Sequence, residues 1–319
     1  MNHSEMGTRD QTDPKAACVP KYLGSICSCM SCIICRDYVA IAIPMSLKPS
    51  EIMDFYDIAM RPPAAKSCCA VNPWKSRLAL NFKDIAHKTR WVPVPEIPRV
   101  RRDLGVPACR KYPDGSDFMT LPILVDPSTN SKIGDSFDIA VYLQKTYPAS
   151  GDGDLFPPQE LDFAYDPDLP AWAPRLSERE DVEHADYSKF NSNIDAAFTA
   201  HVGLMGYYMP LDSEESKEAM VRRAGAASWE DFKVDGEARE KLTDSLRLML
   251  GELAKLFSRD TSGPFIMGKQ ASYADLVVGG WLHMMRGTLP GNEWQEARGW
   301  HGGIFGHLYD GLEKYAEVK

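Results

Sequence analysis

An α/β domain followed by an all-α domain is the architecture expected of this chain, on three counts. Between residues 51 and 148, strand-like and helix-like stretches alternate in the order β-α-β-(loop or helix)-β-β-α. After Ser177 no strand pattern survives, and amphipathic stretches run near 178–208, 213–228, 236–258, 272–288 and 292–317, which marks 178–319 as all-helical. Between them lies a proline-rich segment, residues 149–177, poor in helix formers and therefore a linker. The 319 residues, 44% hydrophobic and 25% charged, are ample for two packed cores.

The elements follow in order. Residues 1–50 are small, polar and Cys-rich, with neither a helical nor an alternating apolar period, so a poorly ordered extension is expected there. Ile52–Met60 is strand-like, and Arg61–Ser67, opening on Pro62 and Pro63, is loop. Asn72 suits an N-cap and Pro73 the first helical position; Trp74, Leu78, Phe82 and Ile85 then recur at helical spacing. Thr89–Val94 is a short edge strand, because Pro93 cannot donate to a ladder. Leu121–Asp126 is a buried strand entered through Pro122, Lys132–Gly134 a fourth strand, and Ser136–Tyr147 a helix with Ile139, Ala140 and Leu143 inward.

Charge and cysteine usage narrow the function classes. The chain carries 36 basic and 45 acidic residues, a net charge of −9. A field of that sign repels phosphate backbones and anionic lipid, so neither nucleic acid nor a membrane surface is expected as partner. Leu23–Met45 is apolar but holds Arg36 and Asp37, and each charge at a bilayer centre costs about 2.5–3.5 kcal/mol, so no span is expected. The opening MNHSEMGTRD has no basic stretch leading into an apolar core, so no secretory signal is expected either. Five of eight cysteines fall in the first 50 residues, and Cys68, Cys69 and Cys109 are scattered in the rest. That is no disulfide framework, and it points to a reducing, cytoplasmic setting. Cys27, Cys29, Cys32 and Cys35 crowd into nine residues, too close for the paired knuckles of structural zinc, so no metal is expected.

Three short constellations could carry chemistry. The turn Lys66–Lys75 feeds a helix N-terminus, whose free N–H groups and dipole suit a thiolate or carboxylate, with Asn72, Cys68 and Cys69 beside it. A plain cap beside two core-facing thiols explains the same residues. Leu121-Pro122 opens a strand; a cis bond there would leave the preceding backbone free for an extended ligand, while a trans proline would be merely a strand start. Asp135-Ser136 precedes an apolar helix, with Ser136 as its cap, and could receive an amino-acid end or simply cap.

In combination these residues resemble the glutathione S-transferase family over about 52–317. The resemblance implies a thioredoxin-like N-terminal domain and an all-helical C-terminal domain, glutathione as co-substrate, and a homodimer. Leu121-Pro122 resembles the family's cis-proline, whose preceding residue pairs with the cysteinyl backbone of glutathione. Asp135-Ser136, followed by Ile139, Tyr142 and Leu143, is similar to the acidic-Ser pair that holds the γ-glutamyl end. Ser272-Tyr273-Ala274-Asp275 is similar to the helical-domain capping box, in which Ser272 and Asp275 satisfy each other's backbone donors. Asn72–Lys83, with Trp74-Lys75 and Arg77, resembles the β-aryl-etherase-like branch and its fungal etherase-related class, as does Arg222-Arg223-Ala224-Gly225.

Aligned on Trp74-Lys75, Ala70 stands where that branch has a catalytic serine and thiol-type relatives a cysteine. Asn72 matches the asparagine of asparagine-dependent relatives, and Cys69 lies one residue off register; Asn72 is ranked first and Cys69 second as catalytic residue. Phe198, His201, Tyr207 and Tyr208, on the first long helical stretch, are the candidate acceptor-site residues. The expected activity is attack of a glutathione thiolate on a hydrophobic electrophile such as an aromatic ether, quinone or epoxide, in detoxification or secondary metabolism. A binding or regulatory protein on the same fold is the alternative that Ala70 supports. A dithiol oxidoreductase is disfavoured, because the active turn lacks a CxxC pair.

Overall fold

Strand β1 (Met53–Ile58) alternates buried and half-buried positions, as a strand covered on one face must. It is the hub of the sheet in a computed structural model that describes residues 52–112, 114–165 and 183–319. The expected extension, the Cys27–Cys35 cluster and the latter part of the linker lie outside those residues. The sheet order is β2-β1-β5-β6, with β2 (His87–Val92) parallel to β1, and β5 (Ile123–Asp126) and β6 (Ser131–Ile133) antiparallel in turn. Phe55 faces Thr89 on one side and Leu124 on the other. β2 is an edge strand and Pro93 follows it, as the proline implied.

A short helix α1 (Ala64–Ser67) follows the Pro62–Pro63 pair, and three residues separate it from α2 (Val71–Phe82). Here the expected cap is corrected. Ala70 occupies the N-cap with no side-chain hydrogen bond, which puts Asn72 second and Pro73 third in the helix. The turn is held instead by Trp74, whose indole Nε1 donates to the Cys68 carbonyl at 2.9 Å. α2 is buried from Pro73 to Leu80, including Lys75 and Arg77. Arg77 repays its burial by donating to Asp57 on β1 at 2.6 Å and to Thr89 on β2 at 2.9 Å.

After β2 comes α3 (Ile97–Leu104), stopped at Gly105, whose φ of 68° favours glycine. A two-residue hairpin, β3 (Arg110–Lys111) with β4 (Asp117–Phe118), is too short for any periodicity to announce. α4 (Ser136–Thr146) closes the α/β half and brings a second correction. Its cap is Asp135, accepting from the Phe137 N–H at 2.9 Å, and Ser136 is the first helical residue.

The helical half comprises α5 (Ala185–Thr199), α6 (Glu214–Ala224), α7 (Gly236–Phe257), α8 (Tyr273–Thr288), α9 (Gly291–Ala297) and α10 (Trp300–Gly311). The stretch expected over 292–317 is thus two helices, and α10 itself breaks where His301, Gly302 and Gly303 take positive φ. The Ser272/Asp275 capping box forms as expected at the start of α8. Asp275 also accepts from the Ile266 N–H at 2.8 Å, tying the preceding loop to the cap. α8 packs directly on α2. A Cβ at Gly280 would stand 2.8 Å from Lys75 Cγ and 2.9 Å from the Val71 carbonyl, so only glycine admits this approach.

Candidate functional site

The start of α2, the segment before β5 and the helical half enclose a cavity of about 550 Å³. On the α/β side it is lined by Ala70, Val71, Asn72 and Pro73 and by Thr120 and Leu121. Helix geometry leaves the first N–H groups without intrahelical partners, so Val71 and Asn72 bring donors and the positive dipole end to this wall. The Leu121–Pro122 bond is cis, in agreement with the resemblance. Across from these, Met209, Met220, Trp229, Leu242 and Met284 make the opposite wall predominantly apolar.

Pro122, Asp135 and Ser136 are not among the residues that line the cavity, but the backbone segments that lead into them are tied together by a residue that sequence reasoning missed. Arg101 of α3 is fully buried; one guanidinium nitrogen donates to the Thr120 carbonyl at 2.5 Å and the Gly134 carbonyl at 3.1 Å. A second nitrogen donates to the Pro107 carbonyl. One side chain therefore joins the segment before Pro122 to the residue before Asp135. A Cβ on Gly134 would lie 2.4 Å from that guanidinium, so position 134 must be glycine for Arg101 to reach.

Beneath Asn72, Lys75 reaches from α2 to α5. Its Nζ donates to Asp195 Oδ1 at 2.5 Å and Asn191 Oδ1 at 2.9 Å, and Trp281 Nε1 donates to the same Asp195 oxygen at 2.8 Å. Burial pulls the Lys75 pKa down, and the Asp195 carboxylate opposes that. Asp195, Trp281, Arg110 and Arg223 all line the cavity, and none was anticipated. No periodic signal could have found them, because their roles come from partners on other elements.

The sulfur candidate is corrected. Cys69 is wholly buried and is not among the cavity-lining residues; a Cβ on Gly287 of α8 would stand 2.6 Å from its Cβ. Burial, next to Cys68 and Asp57, pushes its thiol pKa up, which disfavours a reactive thiolate. Cys68 is likewise pushed up to about 12, mainly by burial.

The four acceptor candidates also lie off the cavity. Phe198 is fully buried and stacks on Trp281 at 5.1 Å between ring centroids. His201 is buried, with Nδ1 at 2.7 Å from the Ala197 carbonyl and Nε2 at 3.0 Å from Ser245 Oγ, and burial lowers its pKa. Tyr207 donates to Glu230 at 3.3 Å, and Tyr208 is exposed beneath Arg239. From this stretch, Thr199, Ala200, Val202, Gly203 and Gly206 face the cavity instead.

Among the described residues, no group of three or more His, Cys, Asp or Glu side chains could hold a metal ion, and no helix is long and apolar enough to cross a membrane.

Two family models match the chain: the glutathione S-transferase N-terminal domain over residues 71–146 and the glutathione S-transferase C-terminal domain over 210–315. A glutathione S-transferase-like protein of Aspergillus flavus, ustS, is 31% identical over 117 residues, 35% of this chain; the match spans 40% of that relative's length. The glutathione S-transferase CsGST63524 of Ceriporiopsis subvermispora, solved in complex with glutathione, is 28% identical. The alignment covers 84% of this chain and 99% of that one, with a TM-score of 0.66. The β-etherase LigF of a Sphingobium strain shares the fold alone, at 13% identity and a TM-score of 0.50 over 82% of this chain and 98% of that one. With an N-terminal and a C-terminal domain model of one family matched in order along it, the chain belongs to the glutathione S-transferase family.

Proposed function

We propose that this protein is a glutathione-dependent transferase that presents the glutathione thiolate to a hydrophobic electrophile. The observation that carries the reading is one shared cavity: Asn72 at the start of α2 and Leu121 before cis-Pro122 form one wall, and apolar side chains of the helical half form the other. A free thiol has a pKa near 8.5 and is a weak nucleophile at neutral pH. The N–H groups and dipole at the start of α2, with the Asn72 carboxamide as donor, favour its ionised form. The backbone at Leu121, outside the strand ladder and before cis-Pro122, is suited to pair with the cysteinyl segment of the tripeptide, and Asp135 and Ser136 receive the γ-glutamyl end. The thiolate then attacks an electrophilic carbon held against the apolar wall, such as that of an aromatic ether, a quinone or an epoxide. Ether cleavage in the manner of β-etherases is the branch-level form of this reading, with a cytoplasmic homodimer in detoxification or secondary metabolism as its setting.

The test is retention on immobilised glutathione and conjugation of 1-chloro-2,4-dinitrobenzene. Wild type is expected to do both, and Asn72→Ala to lose about 10²-fold in kcat, the scale of one removed anion-stabilising donor. A protein that neither binds the resin nor forms conjugate refutes the reading, and an Asn72→Ala variant at full rate refutes the role of Asn72. Ala70, which offers neither hydroxyl nor thiol to the sulfur, favours a second reading, a binder without turnover. That reading requires retention without conjugation, and the appearance of turnover in Ala70→Ser.

A further inference from the structure

Four charged residues line the predominantly apolar cavity: Arg110, Arg223, Asp195 and Asp231. The two carboxylates are already engaged. Asp195 is bound by Lys75 at 2.5 Å and by Trp281 at 2.8 Å. Asp231 is exposed and accepts from the Ala227 N–H at 2.8 Å, the Ser228 N–H at 3.0 Å and Ser228 Oγ at 3.1 Å, closing the cap of the short turn at Trp229. The cations are less complete. Arg110 approaches the outer oxygen of Asp195 only to 4.0 Å. Arg223 has no ion pair among the described residues, and its guanidinium carbon lies 4.5 Å over the Phe118 ring, which also lines the cavity.

The neighbouring arginine makes the contrast. Arg222, one position earlier on α6, pairs with Glu218 at 3.7 Å, with its side chain exposed, whereas Arg223 is half-buried against the cavity. Burial lowers its pKa and the nearby Tyr112 opposes that, so the guanidinium has lost hydration with no carboxylate paired to it among the described residues. A guanidinium in that condition gains from a bidentate carboxylate, and the planar Phe118 ring beneath it and the Trp229 ring elsewhere on the cavity lining suit an aromatic body.

We propose that the part of the cavity where Arg223 of α6 meets the β3–β4 hairpin is a site for a planar aromatic carboxylate, clasped by Arg223 with Arg110 reinforcing the positive field. The proposal rests on the transferase reading and names the substrate class for it: an aromatic electrophile that carries an acid group. For the model compound 4-chloro-3,5-dinitrobenzoate, the glutathione sulfur forms a C–S bond at the chlorine-bearing carbon. The C–Cl bond breaks with its electron pair leaving on chloride, and the thiol proton passes to solvent.

The test is calorimetric titration of the full chain with 3,5-dinitrobenzoate and, separately, 3,5-dinitrobenzamide, in the presence of saturating S-methylglutathione. Wild type is expected to bind the acid about tenfold more tightly than the amide. Arg223→Gln removes that preference, and Arg223→Lys, which keeps the charge and guards against a folding defect, retains part of it. Equal binding of acid and amide by wild type, or a preference that survives in Arg223→Gln, overturns the proposal. So does Arg223→Gln weakening S-methylglutathione itself with the acid-to-amide ratio intact, because the guanidinium would then serve the tripeptide's own carboxylate. Conjugation of 4-chloro-3,5-dinitrobenzoate is measured separately. If the acid preference depends on Arg223 but no conjugate forms, the anion site stands and the transferase reading falls.

Discussion

Lys75 Nζ on α2 lies 2.5 Å from Asp195 Oδ1 on α5, with 0% and 5% of the two side chains exposed, so the two halves of the molecule are joined by a buried ion pair directly below the cavity wall. Breaking such a pair leaves one charge without hydration or partner, at a cost of about 3–5 kcal/mol, whereas replacing both with apolar groups avoids that penalty. Lys75→Met and Asp195→Leu are each expected to lose stability on that scale in denaturant unfolding. The double variant should lose at least about 2 kcal/mol less than the sum of the two. Additive losses would show that the pair is not coupled.

Arg101 makes a second long-range prediction. Its guanidinium joins the Thr120 and Gly134 carbonyls, so the backbone before cis-Pro122 and the backbone before Asp135 move together. Gly134→Ala would drive a methyl group to within 2.4 Å of that guanidinium and 2.5 Å of Val106 Cγ1. Both Gly134→Ala and Arg101→Met are expected to weaken S-methylglutathione binding by about tenfold or more in titration, the scale of one or two lost charged hydrogen bonds. Unchanged affinity in both variants would remove Arg101 from any positioning role.

Acid stability turns on His283. Its ring stacks on Trp74 at 3.6 Å, Nε2 has no hydrogen-bond partner among the described residues, and burial, aided by Arg77, pulls its pKa from 6.5 to about 3. Below pH 6.5 the unfolded chain takes up a proton that the native protein refuses. The stability tied to the neutral ring is therefore complete above pH 6.5 and drains as pH falls toward 3. The loss amounts to about 3 kcal/mol at pH 4.5. His283→Phe keeps an aromatic ring on Trp74 without a titrating group, so its advantage over wild type should grow by about that amount between pH 7.5 and 4.5. A difference independent of pH would contradict the assignment.

Cys69→Ala removes a thiol that packs toward Gly287 and not toward the cavity. Glutathione-dependent turnover should stay within about twofold of wild type, with a stability loss of about 1 kcal/mol for the small void. Gly287→Ala, whose added Cβ would stand 2.6 Å from that of Cys69, should cost more, about 1–3 kcal/mol for overpacking. A large fall in kcat for Cys69→Ala at unchanged thermal midpoint would restore the thiol as a candidate.

Local pattern carried much of this molecule. The alternation of Met53–Ile58, the buried run Ile123–Asp126, the helix over Ser136–Thr146 and the Ser272/Asp275 box are all written in residues close together in the chain. Each rests on a period or a cap whose energetics close within a few residues. Leu121 and Asn72 were legible for the same reason: a strand-opening proline and a helix start mark backbone positions, and both residues line the cavity.

Which way a side chain faces, and what answers its charge, was settled by packing between distant segments. Phe198 sits on α5 as read, whereas His201 lies two residues past the end of that helix, and the Trp281 ring and the Ser245 hydroxyl claim the two for the core. The first turn of α2 was misread by two residues, because the Trp74 indole on the Cys68 carbonyl, not a polar cap, holds it. Lys75, 120 residues from Asp195, and Arg101, 33 from Gly134, look like ordinary surface cations in the chain. A buried charge is tolerable only where its partner arrives in three dimensions, and no spacing along one segment encodes that arrival.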